Sequence, residues 1–173
     1  MDILELVKSR RSIRKFKDDA IPARILEAVI DAARWAPSAG NVQPWEFVVV
    51  KKPETKRGLV EAALDQKFIG EAPTVIVVCA DENRAYESYG TRGKTLYCIQ
   101  DTASAIMNLH LAACALGLAT CWIGAFKEEK VRETLRIPEG IRPVAIIPLG
   151  YAAEAPNSRR RRPIGEIVHE EVF

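Results

Sequence analysis

The feature that most constrains this chain is the stretch from Thr102 to Phe126, which contains no charged side chain. A run of that length can span a bilayer. However, Gly117 stands where helices commonly end, and the run carries several polar residues: Thr102, Ser104, Asn108, His110 and Thr120. We therefore predict a buried helix over 97–116, apolar nearly all round, that runs directly into a strand over 119–123.

Hydrophobic periodicity predicts several shorter helices around this one. Apolar residues recur at helical spacing after Pro22, as expected for an amphipathic helix over 22–35. Similar patterns predict helices over 1–9, 53–65 and 127–135. Residues 83–94 are polar, with Tyr86, Tyr89 and two glycines, and predict a loop or lid.

The strand signals complete the fold class. Val75 to Cys79 is an unbroken apolar run rich in β-branched residues, typical of a strand buried on both faces. Further strands are predicted over 47–50 and 143–150, and a strand-like segment near Ile167 and Val168 in the tail. The sequence therefore predicts a single α+β domain over 1–173, with a central sheet of about four or five short strands.

The net charge and the cysteines limit the cellular compartments and the classes of binding partner that we expect for this protein. The net charge is only +2, so no overall field favours nucleic acid or a membrane surface. The four cysteines lie in apolar stretches without any C-x-x-C pair, which favours buried, reduced thiols. The N-terminus lacks the basic-then-apolar pattern of a signal peptide. We expect a cytoplasmic protein with no metal site.

Two arginine clusters are candidates for binding an anion. Arg10, Arg11, Ser12 and Arg14 lie close together near the N-terminus, and an extended backbone would place Arg10, Ser12 and Arg14 on one side. Guanidinium groups bind phosphate oxygens bidentately. A solvated basic face explains the same residues. The second cluster, residues 159–162, precedes an ordered-looking segment and is compatible with a tail closing over an anion, or with a disordered or nucleic-acid-binding tail.

A third candidate is the loop that follows Trp35. Two prolines restrict its backbone, Gly40 permits a close approach, and Asn41 and Gln43 offer amide donors and acceptors. Such groups can bind the uracil-like edge of a planar ring. Ordinary turn formation explains the same composition.

Five motifs in order along the chain resemble the FMN-dependent nitroreductase family, of which this chain looks like a short member. They are Arg10-Arg11-Ser12-x-Arg14-x-Phe16, the run from Ala36 to Trp45, Ala72-Pro73 before a strand, the run from Leu116 to Phe126, and the arginine-rich segment ending in Pro163-Ile164-x-Glu166-Ile167-Val168. The resemblance implies a three-layer α/β/α fold with a central mixed sheet, assembled as an intertwined homodimer.

The resemblance also implies roles for particular residues. Arg10, Ser12 and Arg14 match the segment that binds the FMN phosphate, ribityl chain and pyrimidine edge, with Arg11 beside them. Pro37, Ser38, Ala39, Asn41 and Gln43 match a loop that reaches the flavin of the other subunit. Trp122, Ile123 and Gly124 match the backbone beside the isoalloxazine ring. Arg159 and Arg161 match a basic pair on the phosphate, although a shift of one residue would substitute Arg160 and Arg162. Lys67 is a further candidate, in an uncertain register.

The implied activity is reduction of small electron-poor acceptors, whether nitroaromatic, quinone or flavin-type, by ping-pong hydride transfer from NADH or NADPH through FMN. No Rossmann or P-loop motif is present, and a flavin carries its own hydride chemistry, so no catalytic acid or base is expected. His110 is expected to be an interior residue. The alternatives are a specialised flavin enzyme of the same fold, dehalogenase-like or flavin-cleaving, and a flavin-binding protein without turnover. Nucleic-acid binding is disfavoured by the acidic residues beside both clusters.

Overall fold

The computed structural model describes residues 2–173 as seven helices, four strands and three short turns of other helix types. The helices are α1 (Ile3–Ser9), α2 (Ala23–Arg34), α3 (Pro53–Ala62), α4 (Phe68–Glu71), α5 (Glu82–Arg92), α6 (Cys98–Ala115) and α7 (Glu128–Leu135). The strands are β1 (Trp45–Val50), β2 (Thr74–Asp81), β3 (Ala119–Thr120) and β4 (Ile141–Gly150). Short 3-10 turns lie at Ala39–Asn41 and Ile164–Glu166, and a π-helical turn at Gly93–Tyr97.

The strands form one sheet in the order β1-β2-β4-β3, and every pairing between them is antiparallel. The prediction of a mixed sheet is wrong for the described chain. Parallel sheets are the usual context of strands buried on both faces, but helices cover both faces of this sheet as well, so β2 reads as an unbroken apolar run without parallel neighbours.

Alternate residues of β2 point into two separate cores, which confirms the three-layer α/β/α arrangement. Ile76 and Val78 pack with α2 and α6 on one face. Val75 and Val77 pack with α3 and α7 on the other. All four side chains are fully buried, as the period-two geometry of a strand between two helical layers requires.

The predicted loop or lid over 83–94 is instead helix α5 continuing into the π-helical turn. The Asp81 side chain accepts a hydrogen bond from the Arg84 N–H at 2.9 Å and caps the start of α5. The helix is kinked at Tyr89 and Gly90. A side chain at Gly93 would overlap the Ala85 carbonyl, so only glycine fits where the π-helical turn packs on α5.

Helix α6 confirms the predicted central helix, with one difference. Ile106 and Leu109 are fully buried, but Met107 is 39% exposed, so the chain alone does not cover every side of the helix. The helix ends before Gly117, whose φ is +75°. Among residues 2–173, no helix is long and apolar enough to cross a membrane.

One strand prediction is wrong in extent, and a second concerns a segment that pairs with no strand of its own chain. The strand predicted over 119–123 covers only Ala119–Thr120, and Ile123 contributes an isolated bridge to Ile146. The predicted strand-like segment at Ile167 and Val168 has no strand pairing within the described chain, and both side chains are exposed. These two apolar side chains therefore have no partner surface within one chain.

Candidate functional site

The two arginine clusters, from opposite ends of the chain, line one groove. Its volume is about 620 Å³. One wall is the N-terminal segment and the other is the segment after β4, and the lining residues are Val7, Lys8, Arg10, Arg11, Ser12, Arg14, Pro156, Asn157, Ser158, Arg159 and Arg161. The groove therefore brings together six of the sequence-predicted residues, and all the charged side chains that line it are cationic.

The N-terminal wall is held against the edge of the sheet. Ser12 forms a parallel bridge with Thr120, and the Ile13 N–H donates to the Thr120 carbonyl at 3.0 Å. Ile13 is buried, whereas Ser12 and Arg14 on either side of it are exposed. This alternation follows from extended backbone, and it directs the Ser12 and Arg14 side chains away from the core.

Arg11 has a different environment from its neighbours. Its Nη1 donates to the carbonyls of Lys8, Ser9 and Arg10 at 2.6, 3.0 and 2.9 Å. These carbonyls belong to the last turn of α1 and the residue after it, where backbone acceptors lack helical partners. Arg11 therefore caps α1 while it lines the groove.

The Arg14 guanidinium extends over the Phe68 ring, with its central carbon 5.9 Å from the ring centroid. Gln66 donates to the Ala125 carbonyl at 3.3 Å. Residues 66–68 thus lie between Arg14 and the segment that follows β3. Lys67 is exposed at the start of α4, which places it on this side of the molecule.

The segment after β3 packs on a buried histidine. His110 is 2% exposed, its Nδ1 lies 2.6 Å from Thr120 Oγ1, and its ring stacks on Trp122 at a centroid distance of 5.9 Å. Burial, with a smaller effect of the nearby Arg10 charge, lowers the pKa of His110 to about 4. The imidazole is therefore neutral near pH 7, in keeping with the interior role predicted for it.

Trp122, Ile123 and Gly124 alternate in exposure. Trp122 is 40% exposed and Gly124 is exposed, whereas Ile123 is buried and exchanges backbone hydrogen bonds of 3.0 Å with Ile146. The bridge to β4 fixes the backbone of this segment while it leaves two residues open to a ligand.

The loop of residues 37–43 is tightly folded. Gly40, Asn41 and Gln43 have φ values of +53°, +58° and +55°. The Gln43 N–H donates to Ser38 Oγ at 2.9 Å, and Gln43 Nε2 donates to the Asn41 carbonyl at 3.2 Å. Non-glycine residues rarely adopt positive φ without supporting contacts, so the surrounding structure determines this conformation.

Neighbouring helices supply that support. The buried Asp101 carboxylate in the first turn of α6 accepts from the Ala39 N–H at 3.1 Å. Burial raises the pKa of Asp101, and the hydrogen bond from Ala39 opposes that shift. Arg84 of α5 donates to the Val42 carbonyl, and the Tyr89 hydroxyl lies where a side chain at Gly40 would project.

This loop and the arginine groove lie at opposite ends of α6. Asp101 holds the loop at the N-terminal end, and Ser9, next to the groove, lies 3.7 Å from the Cys114 sulfur near the C-terminal end. The rise of an α-helix separates residues 101 and 114 by about 20 Å. The structure therefore does not bring Pro37, Ser38, Ala39, Asn41 and Gln43 to the groove of their own chain.

Of the four consecutive arginines in the C-terminal wall, two line the groove. Arg159 and Arg161 line the groove, and Arg161 donates to the carbonyls of Arg159 and Arg160. Arg162 instead pairs with the Glu166 carboxylate at 3.3 Å and donates to the Glu166 carbonyl. The turn at 164–166 thus draws Arg162 away from the groove.

Comparison with known proteins then identifies the family. The model of the Nitroreductase family matches residues 7–67 and 58–151. The chain belongs to the nitroreductase family. The matched range includes the N-terminal wall, the 37–43 loop and the Trp122–Gly124 segment, and it ends just before the C-terminal wall.

Individual relatives agree with this assignment. The chain is 36% identical over 163 residues to a protein from Methanothermobacter thermautotrophicus that carries the provisional name NADH dehydrogenase/NAD(P)H nitroreductase, covering 92% of this chain and 82% of that protein. It is 27% identical to an FMN reductase (NADPH) from Bacillus subtilis, covering 98% of this chain and 74% of that one. A crystal structure of a nitroreductase family protein from Clostridium difficile superposes with a TM-score of 0.89 at 34% identity and covers 100% of both chains.

The sequence reasoning missed two acidic residues at this site. Asp101 is the last charged residue before the long uncharged stretch, and an acid at the entrance to a buried helix was a usable signal. Glu154 accepts from the backbone N–H groups of Arg14 and Lys15. Nothing in its sequence surroundings distinguishes it from an ordinary surface glutamate.

Proposed function

We propose that this family member is an FMN-dependent NAD(P)H oxidoreductase, active as a two-fold symmetric homodimer, that reduces small electron-poor acceptors. The observation that carries the proposal is the groove in which Arg10, Arg14, Arg159 and Arg161 converge from opposite ends of the chain. The names of relatives, which include NAD(P)H nitroreductase and FMN reductase, support the reaction class.

The donor set of the groove fits a phosphate monoester. Arg10, Arg14, Arg159 and Arg161 offer planar forks of N–H donors, and Ser12 offers a hydroxyl. A dianionic phosphate at the end of a ligand would satisfy several of these donors at once. The Arg11 guanidinium already donates hydrogen bonds to carbonyls of α1, so its contribution to phosphate binding is its positive charge.

The surfaces next to the groove suit the flavin ring. Trp122 and Gly124 are open to a ligand, while Ile123 anchors their backbone. Arg14 and Lys67 provide positive charge nearby, for the pyrimidine edge of the ring. When bound, FMN accepts a hydride from NADH or NADPH and passes two electrons to an acceptor.

The protein's own contribution is binding, orientation and charge rather than proton transfer. His110 is the histidine closest to this surface, but it is buried, hydrogen-bonded to Thr120 and covered by Trp122. It therefore cannot exchange a proton readily with a substrate. We propose that donor and acceptor occupy the same position in turn, which predicts ping-pong kinetics with parallel double-reciprocal plots.

The placement of the 37–43 loop supports a shared site. The loop lies about 20 Å along α6 from the arginine groove of its own chain, so a two-fold partner is the simplest means to bring it to a flavin. Asn41 and Gln43 are exposed and free to face such a partner.

Exposed apolar residues support the same assembly. Ile3 and Leu4 of α1 are 61% and 62% exposed, Trp35 after α2 is 74% exposed, and Phe173 at the C-terminus is fully exposed. A second copy that covered the outer faces of α1 and α6 would bury the residues of α1 and Trp35, which line one surface with α6. We propose an obligate-sized interface, on the order of 2,000 Å² or more.

The state of the cysteines indicates the cellular compartment in which the protein acts. All four are free, and burial raises the pKa of the Cys79 thiol to about 12. Inert, reduced thiols suit the reducing cytoplasm, where we propose that the protein acts.

Two measurements test this proposal: the identity of the bound flavin and the oligomeric state of the protein. The purified protein should carry FMN rather than FAD, identified by chromatography after heat release, and should sediment as a dimer of the 19.2 kDa chain. Recovery of FAD would contradict the phosphate assignment. A stable monomer with full FMN occupancy would contradict the shared site, and holoprotein that no NAD(P)H reduces would be a flavin-binding protein without turnover.

A further inference from the structure

Behind the groove, the two basic walls are joined by a short antiparallel contact. Lys17 N–H donates to the Tyr151 carbonyl and Ala153 N–H donates to the Lys15 carbonyl, both at 2.9 Å. Phe16 and Ala152 form the bridge between these two bonds. The chain that leaves β4 therefore runs beside the chain that leaves the N-terminal arginines, and the walls diverge from this joint.

The Glu154 carboxylate closes the joint at the side nearest the groove. Its Oε1 accepts from the Arg14 N–H at 2.5 Å and from the Lys15 N–H at 3.0 Å. The side chain is half-buried and lines a cavity together with Arg10 and Arg11. Within residues 2–173 it forms no salt bridge with either guanidinium, so the carboxylate binds the backbone rather than the neighbouring cations.

We propose that Glu154 is a positioning residue that sets the spacing between the two basic walls and thereby the affinity of the groove for phosphate. This inference rests on the proposed function of the groove. The hydrogen bonds hold Arg14 at the inner end of one wall, and Glu154 itself lies two residues before Pro156, where the other wall begins. Together with the backbone contact, this carboxylate thus fixes the two walls relative to each other.

The charge of Glu154 has an opposing effect, which makes the proposal testable. A carboxylate near an anion site repels the anion, and on this effect alone its removal would tighten phosphate binding. A charged acceptor also makes stronger hydrogen bonds to N–H groups than a neutral one. The presence of an acid beside the basic groove is explained if its hydrogen bonds to Arg14 and Lys15 favour phosphate binding by more than the repulsion opposes it.

Two variants separate these effects, with a third as control. Glu154→Ala removes both the charge and the acceptor. Glu154→Gln removes the charge but keeps an amide oxygen that can accept from the same N–H groups. Glu61→Ala removes an exposed carboxylate on α3 that lies outside the groove. All three are made in the full-length protein.

The first readout is amide hydrogen exchange at Arg14 and Lys15, which does not depend on flavin. We expect exchange to accelerate by about tenfold or more in Glu154→Ala, with a smaller change in Glu154→Gln and none in Glu61→Ala. Unchanged exchange in Glu154→Ala would overturn the proposal, since the carboxylate would then not hold the backbone.

The second readout is the FMN dissociation constant, measured by flavin fluorescence on dilution of the holoprotein. We expect a weakening of about tenfold in Glu154→Ala and about threefold or less in Glu154→Gln. Equal or tighter binding in both would mean that the repulsion matches or exceeds the effect of the hydrogen bonds, and would overturn the proposal. If no FMN is bound even by the unmodified protein, the proposed function fails. Calorimetry with inorganic phosphate then decides the inference: a comparable loss in Glu154→Ala supports it, and equal affinities refute it.

Discussion

The buried histidine beneath Trp122 should make the stability of this protein depend on pH in a defined window. Burial lowers the pKa of His110 to about 4 in the folded protein, against 6.5 for an unperturbed histidine. Between these values the unfolded chain binds a proton at this histidine that the folded chain does not. The contribution of His110 to stability therefore falls as the pH is lowered from about 6.5 and levels off below about 4.

The magnitude follows from the two pKa values. The loss is about 2 kcal/mol at pH 5 and approaches about 3 kcal/mol below pH 4. The sign follows from the environment: burial and the Arg10 charge both disfavour the imidazolium ion. Thr120 Oγ1, at 2.6 Å from Nδ1, provides the hydrogen-bond partner of the neutral ring.

Urea unfolding at pH 7 and pH 5 tests this value in matched variants. His110→Asn places an amide near the position of Nδ1 and removes the titrating group, so its stability should fall by about 2 kcal/mol less than that of the unmodified protein over this interval. His169→Asn, which makes the same substitution at the exposed histidine near the C-terminus, is the matched control. If the unmodified protein and His110→Asn lose equal stability, the histidine does not contribute as argued.

Three further predictions concern the groove and the loop. Arg14→Ala should weaken FMN binding by about 1–3 kcal/mol, because charge-assisted hydrogen bonds are lost; unchanged flavin occupancy would indicate an ordinary solvated arginine. Asp101→Ala should speed exchange of the Ala39 amide and lower flavin retention, whereas equal exchange would show that the loop holds itself. Gly40→Ala should cost about 1 kcal/mol or more in unfolding experiments, since φ is +53° and the Tyr89 hydroxyl occupies the space of the new methyl group. Tyr89→Phe should recover part of that cost, and a neutral Gly40→Ala would contradict the crowding.

The elements predicted correctly from sequence are those with a strong, uninterrupted pattern. Helix α2 shows helical spacing, β2 shows an unbroken apolar run, and α6 lies in the uncharged stretch. In each case the local conformational preference and the burial pattern favour the same secondary structure, so the sequence pattern alone predicts the element. The antiparallel direction of the sheet is not visible in such patterns, because helices on both faces bury a strand in the same way whatever its direction.

Helix α5 was missed because its stability comes from a cap and from packing rather than from composition. Its residues are polar, and the features that establish it are the Asp81 cap and the fit of Gly93 against Ala85. The tail was missed for the opposite reason. Ile167 and Val168 look like strand residues, but within one chain they have no neighbouring strand to pair with.

The candidate site also contains residues that the sequence predicts and residues that it does not. Arginines in dense clusters are conspicuous in sequence, and both clusters lie in one groove. The acids that hold the site in place are single residues distant from what they bind: Asp101 lies 62 positions from Ala39, and Glu154 lies 140 from Arg14. Contacts of that range depend on the tertiary fold and leave no local pattern.

The most direct test of the central claim is an anaerobic titration of the purified holoprotein with NADH and with NADPH, followed through the visible absorbance of the flavin. We expect at least one of the two to bleach the flavin at about one equivalent per site, and a nitroaromatic or quinone acceptor then to restore the oxidised spectrum. A flavin spectrum that neither nicotinamide changes would contradict the assignment of this protein as an NAD(P)H oxidoreductase.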